Sequence, residues 1–194
     1  MSLERMQSLA RLAERCAVEL DAPVGRYVEL VRRALRGGGT VFFAGNGGSA
    51  AHAQHIATEY VVRYAPVRRR ASAALALSTD TSLLTAAAND LGYKEIFARQ
   101  VEAHGHKGDL LVLISTSGNS PNLLRAAEAA RDMGLVTVCL LARGGGKLAA
   151  LVDLAVIVPT DDAAHAQELQ LAIDHHVCGV IEKELGGEGP GAGG

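Results

Sequence analysis

Residues with chemistry to offer cluster at a few places in the chain. Ser115-Thr116-Ser117-Gly118-Asn119-Ser120-Pro121 packs four hydroxyls between an apolar run and a helical pattern whose first turn is set by Pro121. Ser120 alone suffices as the helix cap. The other hydroxyls can donate to phosphate oxygens while Gly118 lets the backbone approach closely; a plain serine-rich turn is the alternative. The segment holds no Lys or Arg, so an anion there would rest on N–H groups, hydroxyls and the helix dipole. That suits a phosphomonoester better than a polyanion. Upstream, Gly45-Asn46-Gly47-Gly48-Ser49 presents backbone N–H groups and a helix start where an anion could sit. It lacks the register of G-x-G-x-x-G and the Gly-Lys-Ser/Thr of a nucleotide P-loop, and a tight turn capped by Ser49 is its alternative reading.

A second group is made of imidazoles, a carboxylate and an amide. His55 and Glu59 stand four apart on the helix expected after the glycine loop, about 40° apart around its axis, so both can reach one point. Gln167 and His175 stand eight apart in the last helix, about 80° around, broadly on one side. Together these donors suit a borderline divalent ion such as Zn²⁺. Spacing alone leaves His52, His104, His106, His165 and His176 as competing candidates.

The elements that must position these groups follow from periodicity. Leu3 to Leu20 has helical spacing, and Asp21 with Pro23 opens a second helix that ends at Gly37-Gly38-Gly39. Short apolar runs at Thr40 to Ala44, Ala73 to Leu77, Leu110 to Ile114, Val136 to Leu141 and Leu154 to Val158 read as strands. Helices are expected at Ser49 to Arg63, Thr81 to Ala88, Lys94 to Ala103, Pro121 to Met133, Lys147 to Leu151 and Ala163 to Leu185. Buried-type strands alternating with helices predict an α/β fold, a doubly wound five-stranded parallel sheet preceded by two N-terminal helices. Sites in such sheets lie beyond the carboxyl ends of the strands. Residues 1–185 are expected to form one domain, and the Gly-rich residues 186–194 a disordered tail.

Composition bounds the partners. The chain has 194 residues, 48% of them apolar, and a formal net charge of −2, which gives no electrostatic footprint for nucleic acid or an anionic membrane surface. Apolar runs stop well short of the roughly 20 residues a membrane span needs, and Met1 to Ala10 lacks a signal-peptide core, so a cytoplasmic protein is expected. Cys16, Cys139 and Cys178 are far apart and read as buried thiols, not a disulfide framework or a zinc site. Arg68, Arg69 and Arg70 read as a solvated surface, with Arg63 or the run as a cation for a phosphate or a neighbouring subunit in the alternative.

Gly45 to Tyr64 (GNGGSAAHAQHIATEYVVRY), Asn89-Asp90, Ser115 to Ser120 (STSGNS), Gly144 to Lys147 and Gln167-Glu168 through His175 resemble the phosphoheptose isomerases. These are sedoheptulose 7-phosphate isomerases of the SIS (sugar isomerase) fold group. The resemblance runs from about Leu30 to Leu185 with the motifs in order. It implies a flavodoxin-like SIS subunit, a homotetramer with active sites at subunit interfaces, and one Zn²⁺ per subunit held by His55, Glu59, Gln167 and His175. It further implies that the substrate phosphate lies on Ser115, Thr116, Ser117 and Ser120, and the sugar against Asn46, Gly47, Gly48, Ser49, Glu59, Asn89, Asp90 and Gln167. In the family picture Glu59 is the base on the carbon-bound proton and His175 relays a proton to or from oxygen. A carboxylate bound to Zn²⁺ is a poorer base than a free one, so two alternatives stand: Glu59 alternates between metal and substrate, or Asp90 shares the work.

Two features separate this chain from one of its two rivals. A non-catalytic SIS protein of the replication-initiator-associating type lacks the acid matching Glu59 and the histidine matching His175; both are present here. An isomerase of another sugar phosphate would share the phosphate loop, so that rival differs in pocket length alone. His165-Ala166 stands where many members carry Arg-Ile, which bears on fine substrate specificity and not on the metal set.

Overall fold

The computed structural model describes residues 3–66 and 69–186. Its strands are β1 (Val41–Gly45), β2 (Ala74–Ala76), β3 (Leu110–Ile114), β4 (Val136–Leu141) and β5 (Leu154–Ile157). They form one wholly parallel sheet in the order β2-β1-β3-β4-β5. The α-helices are α1 (Glu4–Glu19), α2 (Asp21–Arg36), α3 (Gly48–Val61), α4 (Thr81–Asp90), α5 (Ala98–His104), α6 (Pro121–Met133) and α7 (Ala163–Gly186). This is the doubly wound α/β architecture with two leading helices that the strand and helix periodicities predict. The glycine-rich tail from residue 187 onward and Arg68 lie outside the described residues.

Successive residues of each strand feed opposite cores, as a strand buried on both faces requires. Val41, Phe43, Val112 and Leu140 pack with the face covered by α1, α2, α3 and α7. Phe42, Ala44, Leu113 and Leu141 pack with the face covered by α4, α5 and α6. The chain leaves β1 toward β2 on one side and later returns to β3 on the other. That reversal opens a crevice beyond the carboxyl ends of β1 and β3, where a doubly wound sheet binds ligands. Both the glycine loop and the serine-rich loop begin there.

Three local expectations need correction. The helix expected over Lys94 to Ala103 is a 3-10 turn, Tyr93–Glu95, followed by α5. Ile96, Phe97 and Ala98 are all buried, and three consecutive positions cannot share one stripe of a straight surface helix. Lys147 to Leu151 holds only a 3-10 turn, Leu148–Ala150, anchored where the Leu148 N–H donates to the Gly118 carbonyl at 3.0 Å. Ser49 does not cap α3, because the helix already begins at Gly48 with Gly47 at the cap position.

Candidate active site

The glycine loop is shaped by close approaches that only glycines allow. A Cβ on Gly45 would lie 2.6 Å from the Ser49 carbonyl oxygen, so the first turn of α3 folds back onto the end of β1. Gly47 takes a positive φ of 55°, and a Cβ on Gly48 would sit 3.2 Å from both the amide nitrogen and oxygen of Gln167. Gln167, reaching from α7, therefore lies over the first turn of α3. Ser49 is buried; Gly47 and Gly48 are exposed.

The serine-rich loop leaves β3 and is braced by a second glycine loop. The Ser115 hydroxyl accepts the Gly118 N–H at 3.0 Å and the Ser117 hydroxyl accepts the Asn119 N–H at 3.3 Å, while Thr116, Ser117 and Ser120 remain partly exposed. Ser120 holds the cap position of α6, yet its hydroxyl makes no capping bond, which departs from the role expected for it. Asn119, which spacing does not single out, is the buckle. Its side chain donates to the Ser117 carbonyl at 2.9 Å and accepts the Lys147 N–H at 3.1 Å. Gly118 has φ 63° and sits so close to the strand-following loop that a Cβ would meet the Gly145 carbonyl oxygen at 1.9 Å. The Gly-Gly-Gly-Lys motif thus supports the hydroxyl loop through its backbone.

His55, Glu59 and His175 meet between α3 and α7. One donor atom from each lies within 4.8 Å of the others. The Nε2 atoms of His55 and His175 are 2.9 Å apart, and Glu59 Oε1 is 3.7 Å from His55 Nε2. Desolvation, reinforced by the neighbouring His55, pushes the His175 pKa below its ordinary value. A neutral imidazole keeps its lone pair for a cation, so two facing nitrogens and a carboxylate fit a divalent ion of zinc's type. On the buried side of the same helices, Tyr27 Oη donates to Asp174 Oδ1 at 2.8 Å. His52 Nε2 contacts Asp174 Oδ2 at 2.8 Å, off the line of a hydrogen bond, and neither atom has a hydrogen-bond partner. His52 is therefore committed to the interior. Its neighbour Asp174 went unmarked in the sequence because nothing in local spacing sets it apart.

The remaining residues divide. Asn46 faces Asn122 at the start of α6 in a reciprocal amide pair, and Tyr93 Oη donates to Asn46 Oδ1 at 3.1 Å. Asn89 and Asp90 are exposed at the end of α4, with the Asn89 amide donating to Asp90 Oδ1 at 2.7 Å. Arg63 and Arg70 are exposed, but the Arg69 side chain is only 2% exposed and pairs with buried Glu182. For Arg69 the solvated-surface reading is overturned, because the turn after α3 folds it under the chain toward α7. His165 is buried; it contacts Ser8 Oγ through Nε2 and Glu168 Oε2 through Nδ1, each at 2.8 Å. Arg5 of α1 and Asp162, the residue before α7, add a salt bridge at 3.1 Å.

Comparison with known proteins matches residues 6–142 to the SIS domain family. The chain is 50% identical over 188 residues to the phosphoheptose isomerase of Chlorobium phaeovibrioides, covering 96% of this chain and 88% of that one. It is 48% identical over 186 residues to the phosphoheptose isomerase of Chlorobaculum parvum, with 95% and 89% covered. Among solved structures, the phosphoheptose isomerase of Neisseria gonorrhoeae superposes with a TM-score of 0.86 at 38% identity, covering 93% of this chain and 96% of that chain. With fold, motif order and overall identity in agreement, the chain belongs to the SIS-domain family and, within it, to the phosphoheptose isomerases.

Proposed function

We propose that this chain interconverts sedoheptulose 7-phosphate and D-glycero-D-manno-heptose 7-phosphate. The observation that carries the reading is the convergence of His55, Glu59 and His175 from two helices separated widely in sequence, in a chain that also carries the serine-rich loop. Aldose–ketose isomerisation moves a proton between adjacent carbons through a cis-enediol while the two oxygens exchange a proton. Glu59 takes the carbon-bound proton and returns it to the neighbouring carbon. His175, whose pKa burial lowers, can deliver the proton of the ring nitrogen not offered to an ion to one substrate oxygen and take one back from the other.

A zinc ion, when bound, would be held by His55, Glu59, Gln167 and His175 and would supply positive charge to the carbonyl and the developing oxyanion. Ser115, Thr116, Ser117 and Ser120 hold the phosphate, and Gly47, Gly48, Ser49, Asn89 and Asp90 lie along the sugar. Asn46, whose amide is engaged by Asn122 and Tyr93, acts by fixing the loop. A homotetramer is part of the same reading, supported by the exposed apolar Met6 and Val18 on α1 and Leu3 just before it. So is action in the cytoplasm; among the described residues no helix is long and apolar enough to cross a membrane.

The test is a coupled isomerase assay of the purified protein together with metal analysis. Turnover of the seven-carbon ketose phosphate by metal-containing protein is the expected result. Metal-containing protein that binds the sugar phosphate without turning it over would favour a regulatory SIS protein instead.

A further inference from the structure

We infer that the buried Arg69–Glu182 pair is the positioning device of the isomerase site, setting Glu59 and His175 in register with one another. The inference rests on the isomerase reading above. Their side chains are 2% and 3% exposed, an expensive place for two charges unless their hydrogen-bonding capacity is filled. It is filled by the backbone around the site. Glu182 Oε2 accepts the N–H groups of Tyr64 and Ala65, both at 2.8 Å, and Oε1 accepts Arg69 Nε at 3.2 Å. Arg69 Nη1 donates to the Arg70 carbonyl at 2.9 Å, and Nη2 donates to the carbonyl of Glu59 itself at 2.7 Å. That carbonyl lies in the last turn of α3, where helix geometry leaves it without an intrahelical partner and the dipole favours a cation.

The other end of the device reaches His175. With Glu182 fixing its N–H, Tyr64 lays its ring 5.5 Å from the His175 ring, centroid to centroid. Gly179, one turn beyond His175 on α7, makes room: a Cβ there would come within 3.1 Å of Tyr64 Cε1. One guanidinium–carboxylate contact therefore ties the backbone of Glu59, the turn after α3, and the ring that packs on His175. Two apolar side chains could fill the same space, but they could not hold these particular N–H and carbonyl groups. Arg69 and Glu182 touch no reacting atom in this account; they act through Glu59 and Tyr64.

The test uses the full chain carrying Arg69→Lys, which keeps a charge for Glu182 but cannot also span to the Glu59 carbonyl. The expected result is a folded protein whose kcat falls about tenfold or more, the range for residues that orient ligands, while KM changes by less than about threefold because the serine-rich loop is untouched. Zinc titration of the metal-free variant, followed by competition with a chromophoric chelator, is expected to show affinity weakened by a similar factor. Wild-type kcat and wild-type zinc affinity in folded Arg69→Lys would overturn the inference. So would a rise in KM at unchanged kcat. If Arg69→Lys does not fold, Tyr64→Leu, which alters a 43% exposed residue and leaves the buried pair intact, decides the matter: lowered kcat and zinc affinity support it, wild-type values of both overturn it. Wild-type protein assayed in parallel separates the two readings. Its failure to turn over substrate would sink the isomerase assignment, and the zinc titrations would still judge the positioning pair.

Discussion

The carboxamides of Asn46 and Asn122 face each other across the crevice of the sheet, each donating to the other's oxygen, at 2.9 and 2.8 Å. Asn46 follows β1 and Asn122 opens the helix after β3, so the pair fixes the separation of the glycine loop and the serine-rich loop. Asn122 is 1% exposed, and its loss strands a partner amide in a part-buried place. Asn122→Leu is expected to destabilise the fold by about 1–3 kcal/mol and to raise KM for the sugar phosphate. Urea unfolding and steady-state kinetics check both.

Glu59→Gln and His175→Ala are expected to lower kcat by at least about 100-fold, the scale of positioned acid–base groups. Binding of inorganic phosphate, measured by calorimetry, should survive in both, because neither side chain belongs to the hydroxyl loop. Retained turnover in either variant would remove that residue from the proposed chemistry.

Gly118→Ala places a methyl on a residue with φ 63° and drives it into the Gly145 carbonyl at 1.9 Å. The expected cost exceeds about 1 kcal/mol, the ordinary scale of a glycine-to-alanine effect, with weaker phosphate binding besides. A lowered denaturant midpoint together with a weakened phosphate isotherm is the signature.

Metal binding to the folded chain alone should stabilise it by mass action, about 2.7 kcal/mol when free zinc is 100 times its dissociation constant. The thermal midpoint of metal-free protein is expected to rise on zinc addition, and His55→Ala to abolish most of the rise. An unchanged midpoint in the wild type would contradict the proposed ligand set.

Asp162 caps the start of α7. The backbone N–H of His165, the Arg5 guanidinium and the Ala164 N–H hold its carboxyl down to about 2, from an ordinary value of 3.8. A depressed folded-state pKa means that the group stabilises the fold above the unfolded value and loses that effect as pH falls through the folded one. The stability gap between wild type and Asp162→Ala should therefore close as pH drops from about 4 to about 2. Thermal melts across that interval provide the check.

Local periodicity made most of this molecule legible. The strands β3 and β4 run over the residues their apolar runs predict, and α6 begins at Pro121 and ends at Met133 as its pattern requires. His55 and Glu59 share one helix, so their four-residue spacing carries their geometry directly. What escaped are the long-range polar pairs. Arg69 and Glu182 are 113 positions apart and Asn46 and Asn122 are 76 apart; no periodicity links them, and a charged residue in an arginine run looks solvated until a turn folds it inward. Asn119 was hidden differently, because its role depends on a backbone N–H from another loop.

The Ser8–His165 contact and the Arg5–Asp162 bridge attach the opening turns of α1 to the head of α7, two residues ahead of Gln167. The beginning of the polypeptide is thus mechanically in series with the far helix of the reaction chamber. Both ties would be lost together if the first turns of α1 were drawn away, so a few residues near position 5 hold down the helix start that carries Gln167, more than one hundred and fifty positions later.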